Sequence, residues 1–132
     1  MTIQELQEYR GMSAEVQAIQ DELVNLYTPI SSPLMSDSHG TTPGNPTEKA
    51  VLRIMALQEM ISKKREVLAE RLEAIEKWLD ELSDSEIASI VRWHYLLGMN
   101  WKQTNQKVYG YPDYYYSRKK IERYFTNENI KP

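Results

Sequence analysis

The chain has 132 residues and no cysteine, so disulfides, thiolate nucleophiles and cysteine-ligated zinc are excluded. Histidine is scarce: His39 and His94 stand apart, without paired carboxylates at ligand spacing, and a metal site is not expected. No apolar run approaches the length of a membrane span. The first residues, MTIQELQEYR, mix charge with isolated apolar positions, unlike a secretory leader. A cytoplasmic protein without a membrane partner is the expectation. Also missing are a phosphate-binding Walker loop, a nucleophile elbow, a glycine-rich dinucleotide fingerprint and a paired-histidine zinc helix. The carboxylates are interleaved with Lys and Arg at helical spacing, where ion pairing is their ordinary use. Neither catalysis nor a cofactor is expected.

Helical periodicity is abundant. Ile3, Leu6, Tyr9, Met12, Val16, Ile19, Leu23 and Leu26 recur at steps of three and four and predict a helix over 2–27. Thr2 and Glu5 have the spacing of a capping box at its start. Pro29, Pro33, Pro43 and Pro46, with Gly40, Gly44 and several Ser and Thr, mark 28–46 as a linker, expected to be mobile. A long helix is predicted over 47–82, with Ile54, Ile61, Leu68, Leu72, Ile75, Leu79 and Leu82 on a heptad seam that Gln58 and Arg65 interrupt. Packed antiparallel, the two helices make a hairpin or coiled coil. The first is shorter, so part of the seam must be covered by a second copy of the chain or by the C-terminal helices. The expected class is all-α, with a hairpin over 1–82, a helix-turn-helix over 83–126 and a tail over 127–132.

Charge divides the chain. Residues 1–82 hold 8 Lys+Arg and 14 Asp+Glu, or −6; residues 83–132 hold 8 and 5, or +3; residues 101–132 hold 7 and 3, or +4. A basic end on an acidic chain favours a local nucleic-acid surface. Within that end, a helix is predicted over 84–98, with Ser83 as N-cap, Glu86 at the capping-box position and Gly98 as its stop. A short helix follows over 100–109 with Asn100 as N-cap, then a break at Gly110 and a basic helix over 112–126 with Pro112 in its first turn. Trp78, Trp93 and Trp101 are expected in the core or at an interface. Of Tyr109, Tyr111, Tyr114, Tyr115 and Tyr116, at least two are expected to be structural. The Lys63–Lys64–Arg65 run reads as a solvated face.

The run LSDSEIASIVRWHYLLGMNWKQTNQKVYG resembles the helix-turn-helix of bacterial sigma-factor region 4, and in particular that of phage late transcriptional regulators of the ArpU/RinA type. Arg92, Tyr95, Gly98 and Trp101 carry the likeness, together with the closing Arg123–Tyr124–Phe125. The resemblance implies that Trp101 packs on the preceding helix, that Val108 ends the core of the next one, and that Ile121 and Phe125 anchor the recognition helix. It also implies a DNA-binding set of Lys102, Lys107, Tyr115, Tyr116, Arg118, Lys119 and Glu122, with Arg118 placed to read a base and the lysines to hold phosphates. Duplex DNA and host RNA polymerase are the implied partners, in the cytoplasm of a bacterial host. Thr104, Asn105 and Ser117 depart from the small or branched apolar residues usual at those positions, which points to hydrogen-bonded partners inside, to a shifted register, or to a motif that has drifted from DNA binding. Two other readings stand beside this one. A small terminase subunit also joins a helix-turn-helix to an oligomerising helical region. A phage protein that binds a host protein through the helical arm needs no DNA at all.

Overall fold

The computed structural model describes residues 1–27 and 48–130, with side chains as far as residue 127. The 28–46 linker, with His39, and the end of the tail lie outside the described residues. All described elements are helical: α1 (Ile3–Tyr27), α2 (Glu48–Glu81), α3 (Ser85–Ile90) with a π-helical continuation (Val91–Leu96), α4 (Trp101–Tyr109) and α5 (Tyr116–Ile130). The all-α expectation holds. The chain forms two compact units, one of Met1–Ala14 with Leu68–Pro132, the other Glu15–Val67. This division falls inside α1 and α2, whereas the sequence pattern places one at 82/83.

In the second unit the two helices run antiparallel around buried Val16, Ile19, Ile54, Leu57 and Ile61. Arg53 pairs with Glu22 at 2.8 Å and Lys64 with Glu15 at 2.8 Å along one side. On the heptad seam Gln58 donates to the Tyr27 hydroxyl at 2.9 Å. Leu57, fully buried, lies outside the seam read from the sequence.

In the first unit one core gathers Leu6, Tyr9, Ile75, Leu79, Ile87, Ile90, Val91, Tyr95, Ile121 and Phe125. The C-terminal part of the seam is therefore covered by the helices that follow it, within one chain. Trp78 of α2 stacks on Phe125 of α5, with centroids 5.8 Å apart. Arg71 and Glu8 bridge α2 and α1 at 2.9 Å.

Local chemistry sets the helix ends. Glu5 N–H donates to Thr2 Oγ1 at 3.2 Å, closing the start of α1. The N-cap of α3 is Asp84, not Ser83. Its carboxylate accepts from Glu86 N–H at 3.0 Å and Ile87 N–H at 3.2 Å. A charged acceptor at the positive helix end takes the position that spacing alone assigns to serine. After Ile90 the helix widens, and Leu97 N–H donates to Arg92 C=O, five residues back, at 2.9 Å. Gly98, at φ 77°, ends it in the left-handed region.

Candidate nucleic-acid interface

Of the residues that carry the resemblance, Tyr95, Trp101, Tyr124 and Phe125 pack inside, Arg92 is ion-paired at the surface, Gly98 ends a helix and Arg123 faces solvent. Arg92 makes a two-pronged pair with Glu76 of α2, at 2.8 and 2.9 Å, and its hydrogen bonds hold the Glu76 carboxyl below the usual range. Tyr95 is buried, and burial raises its hydroxyl to about 12. Trp101 opens α4 and stacks on His94, centroids 3.6 Å apart, as the resemblance implies. Val108 is partly buried against the core, and Ile121 and Phe125 are buried in it. Tyr124 tilts against Trp78, while Arg123 faces solvent.

His94 is buried. Its Nδ1–H donates to Met99 C=O at 2.7 Å. Burial first, then the nearby Arg10 charge, lowers its pKa to about 4, so the ring is neutral at pH 7. Arg10 of α1 donates to the carbonyls of His94 at 3.0 Å, Gly98 at 3.3 Å and Met99 at 3.5 Å. A cation on carbonyls at a helix C-terminus also suits the helix dipole. The junction leading into α4 is thereby held by both His94 and Arg10, which share the Met99 carbonyl.

Asn100 caps α4 in a full capping box, accepting from Gln103 N–H at 2.7 Å while its own N–H donates to the Gln103 side chain at 3.1 Å. Gly110, at φ 87°, ends the helix. The three polar residues at nominal core positions, Thr104, Asn105 and Ser117, are all fully buried, so the register is the expected one. Ser117 donates to Asn105 Oδ1 at 2.6 Å, and Asn105 Nδ2–H donates to Tyr111 C=O at 2.8 Å. This chain of bonds ties α5, α4 and the turn between them. Thr104 Oγ1 alone of the three finds no hydrogen-bond partner among the described residues.

The turn is longer than the sequence pattern suggests. Asp113 accepts from the N–H groups of Tyr115 at 2.7 Å and Tyr116 at 3.1 Å, which lowers its carboxyl pKa. These bonds give the first-turn donors a side-chain acceptor, so α5 starts at Tyr116 and Pro112 precedes the helix instead of occupying its first turn. Of the five tyrosines, Tyr109 is half-buried and donates to Glu86 at 3.0 Å. Burial and that bond raise its hydroxyl to about 12. Tyr116 meets the Tyr109 ring edge-on at 4.9 Å but stays exposed, as do Tyr111, Tyr114 and Tyr115. Glu86 also pairs with Lys120, so α3, the end of α4 and α5 meet at one carboxylate, whose pKa these bonds lower.

The seven sequence-predicted residues divide by position. Tyr116 and Lys119 line an open groove of about 500 Å³ with Lys120 and Arg123, beside Asp84. Tyr115 is exposed at the leading end of α5, with the Lys119 ammonium 6.0 Å from its ring centroid. Arg118 and Glu122 are turned to the flank: they pair at 3.0 Å and line a cleft of about 350 Å³ with Ile3, Gln7 and Arg10 of α1. Lys102 and Lys107 stand on α4, the first over Tyr114 at 5.8 Å and the second over Trp93 at 5.3 Å. The expected set omits Arg123, although it lies four residues after Lys119 and outside the Ile121–Phe125 stripe. That spacing is the signal by which sequence finds it. Among the described residues no cluster of His, Cys, Asp and Glu is arranged for a metal ion, and no helix is long and apolar enough to cross a membrane. Comparison of the chain with protein families, with curated proteins and with solved structures finds no match.

Proposed function

We propose that this chain binds duplex DNA through α4 and α5 and acts as a transcriptional regulator of phage or prophage type. One observation carries the reading. Lys119 and Arg123 stand one turn apart on the outer side of α5, and neither has an ion-pair partner among the described residues, whereas Lys120 is engaged with Glu86. Cations left unpaired on a helix anchored by Ile121 and Phe125 suit a polyanion.

In this reading α5 enters the major groove with its Tyr115–Tyr116 end leading, and Lys119 and Arg123 meet phosphates or base edges. Lys102 and Lys107 hold the backbone from α4, the helix that crosses it in a helix-turn-helix. Arg118 reads a base only by giving up Glu122, so its contribution is smaller than that of Lys119 and Arg123. Recruitment of host RNA polymerase belongs to the same proposal and rests on the resemblance alone.

Selection of the full chain on random duplex DNA at two salt concentrations tests this. An enriched motif is expected, with affinity falling steeply as salt rises. Combined Lys119→Ala and Arg123→Ala replacement is expected to weaken binding by about 1–3 kcal/mol for each side chain that reads a base. It should also lower the salt slope by about one for each phosphate no longer neutralised. No retained DNA at low salt would remove the reading.

Exposed Val24, Tyr27, Val51, Leu52 and Met55 in the second unit favour one alternative, an oligomer that packages DNA in the manner of a small terminase subunit. Ring-sized assemblies in sedimentation would support it over the regulator.

A further inference from the structure

The cleft of about 350 Å³ beside Arg118 and Glu122 is walled by four helical segments of the first compact unit. Arg10 comes from α1, His94 and Tyr95 from the π-helical segment, Trp101 from the start of α4, and Arg118 and Glu122 from α5. Its charges do not cancel. Arg118 donates its Nε–H to Glu122 at 3.0 Å, which leaves both of its Nη groups without a partner among the described residues. Arg10 donates from Nε and Nη2 to backbone carbonyls, which leaves its Nη1 without one. His94 adds no charge, because burial lowers its pKa to about 4. Two guanidinium groups against one carboxylate leave the cleft net positive.

Two buried side chains reach the same cleft with polar atoms to spare. Tyr95 is 1% exposed and His94 6%, yet both line it. Nδ1 of His94 is held by Met99 C=O at 2.7 Å, while its Nε2 and the Tyr95 hydroxyl have no hydrogen-bond partner among the described residues. After burial, the influences on the Tyr95 hydroxyl are the charges of Glu122, Arg10 and Arg118, all groups of this cleft, so the hydroxyl faces into it. A buried hydroxyl without a partner carries a cost that a bound acceptor removes.

We infer that this cleft binds a small oxyanion, a carboxylate or a phosphate, between Arg10 and Arg118 with the Tyr95 hydroxyl donating to it. Guanidinium groups present N–H donors in a fork that fits the oxygens of either group. A cation would meet two like charges. An apolar molecule would leave the hydroxyl and the free Nη groups unpaired and desolvated. The volume suits a free small molecule. The inference stands on the groups of the cleft and does not rest on the DNA reading above.

The test is two-dimensional NMR of the isotope-labelled full chain, titrated with sodium malate and separately with sodium phosphate, against sodium chloride at matched ionic strength. Trp101 lines the cleft, whereas Trp78 and Trp93 do not. The Trp101 indole signal is therefore expected to shift saturably with at least one of the two anions while the other two indoles stay in place. A response to malate alone would support a carboxylate ligand, and a response to phosphate alone a phosphate. Tyr95→Phe removes a hydroxyl that holds nothing among the described residues. It is expected to leave thermal unfolding unchanged and to weaken anion binding roughly ten-fold, the scale of one hydrogen bond to a charged group. Arg118→Gln, at an exposed position, is expected to weaken it by at least roughly the same factor. No saturable shift with either anion, or an equal shift with chloride, would overturn the inference. Unchanged affinity in both variants would overturn it too, by placing the anion elsewhere. A Trp101 shift with a short DNA duplex but with neither free anion would overturn the small oxyanion in favour of a phosphate of the DNA backbone.

Discussion

The two compact units share the same pair of helices and treat them differently. In the unit of Glu15–Val67, α1 and α2 have only each other among the described residues, and a helix with one neighbour hides one stripe. Five apolar side chains are buried there, while Val24, Tyr27, Val51, Leu52 and Met55 remain exposed. In the other unit the continuing ends of these helices meet α3, α4 and α5, and ten apolar side chains close into one core. The lesson is that a regular heptad seam does not fix its own partner. The identity of what covers it changes along the helix, and resistance to local opening should change with it.

The largest effect is expected where the core is thickest. Ile121→Ala, at a fully buried position between α5 and α2–α3, should cost about 2–5 kcal/mol. Native-state hydrogen exchange should show amides of 15–27 and 48–67 opening at lower free energy than those of 85–96 and 116–125. Equal protection of both sets would break the contrast between the units. An intermediate effect is expected at Asn105→Ala. It leaves Ser117 Oγ and the Tyr111 carbonyl without their partner, at a cost of about 1–3 kcal/mol in chemical denaturation. A smaller, pH-graded effect comes from His94. Its folded pKa of about 4 lies below the unfolded value near 6.5, so the unfolded chain takes up the proton first. Stability of the first unit is full above pH 6.5 and falls as pH drops toward 4, by at most about 1.4 kcal/mol per pH unit. His94→Gln should flatten that slope, and exchange in 48–67 should not follow it. The charged groups acting on the ring are Arg10 and Arg118. Glu76, Glu86 and Asp113, whose pKa values are lowered by their hydrogen bonds, lose their contributions at still lower pH.

Much of the fold is readable from the residues. Apolar spacing places α1 and α2 to within a residue or two, and Asn100, Gly98 and Gly110 mark helix ends because capping is a contact between near neighbours. The π-helical widening after Ile90 is not readable, since Ile87, Ile90, Val91, His94 and Tyr95 are spaced as on an ordinary helix. Spacing alone misplaces the start of α5, because Pro112 fits a first helical turn locally, while the Asp113 side chain one residue further on captures the backbone. Of the candidate interface, Tyr115, Tyr116 and Lys119 fall on the exposed side as expected. Arg118 and Glu122 are exposed as well, but they pair with each other and line the cleft beside α1, and nothing within α5 announces that neighbour.

The sequence by itself determined the helical class, the extents of α1 and α2 and the basic character of the last helix, because these depend on periodicity and charge within short stretches. Only the tertiary structure decided which cations stay unpaired, which tyrosines remain exposed and how Asn105 and Ser117 are satisfied. Those outcomes depend on groups from different helices competing for the same hydrogen bonds and the same buried space, and such competition is settled only when the helices meet.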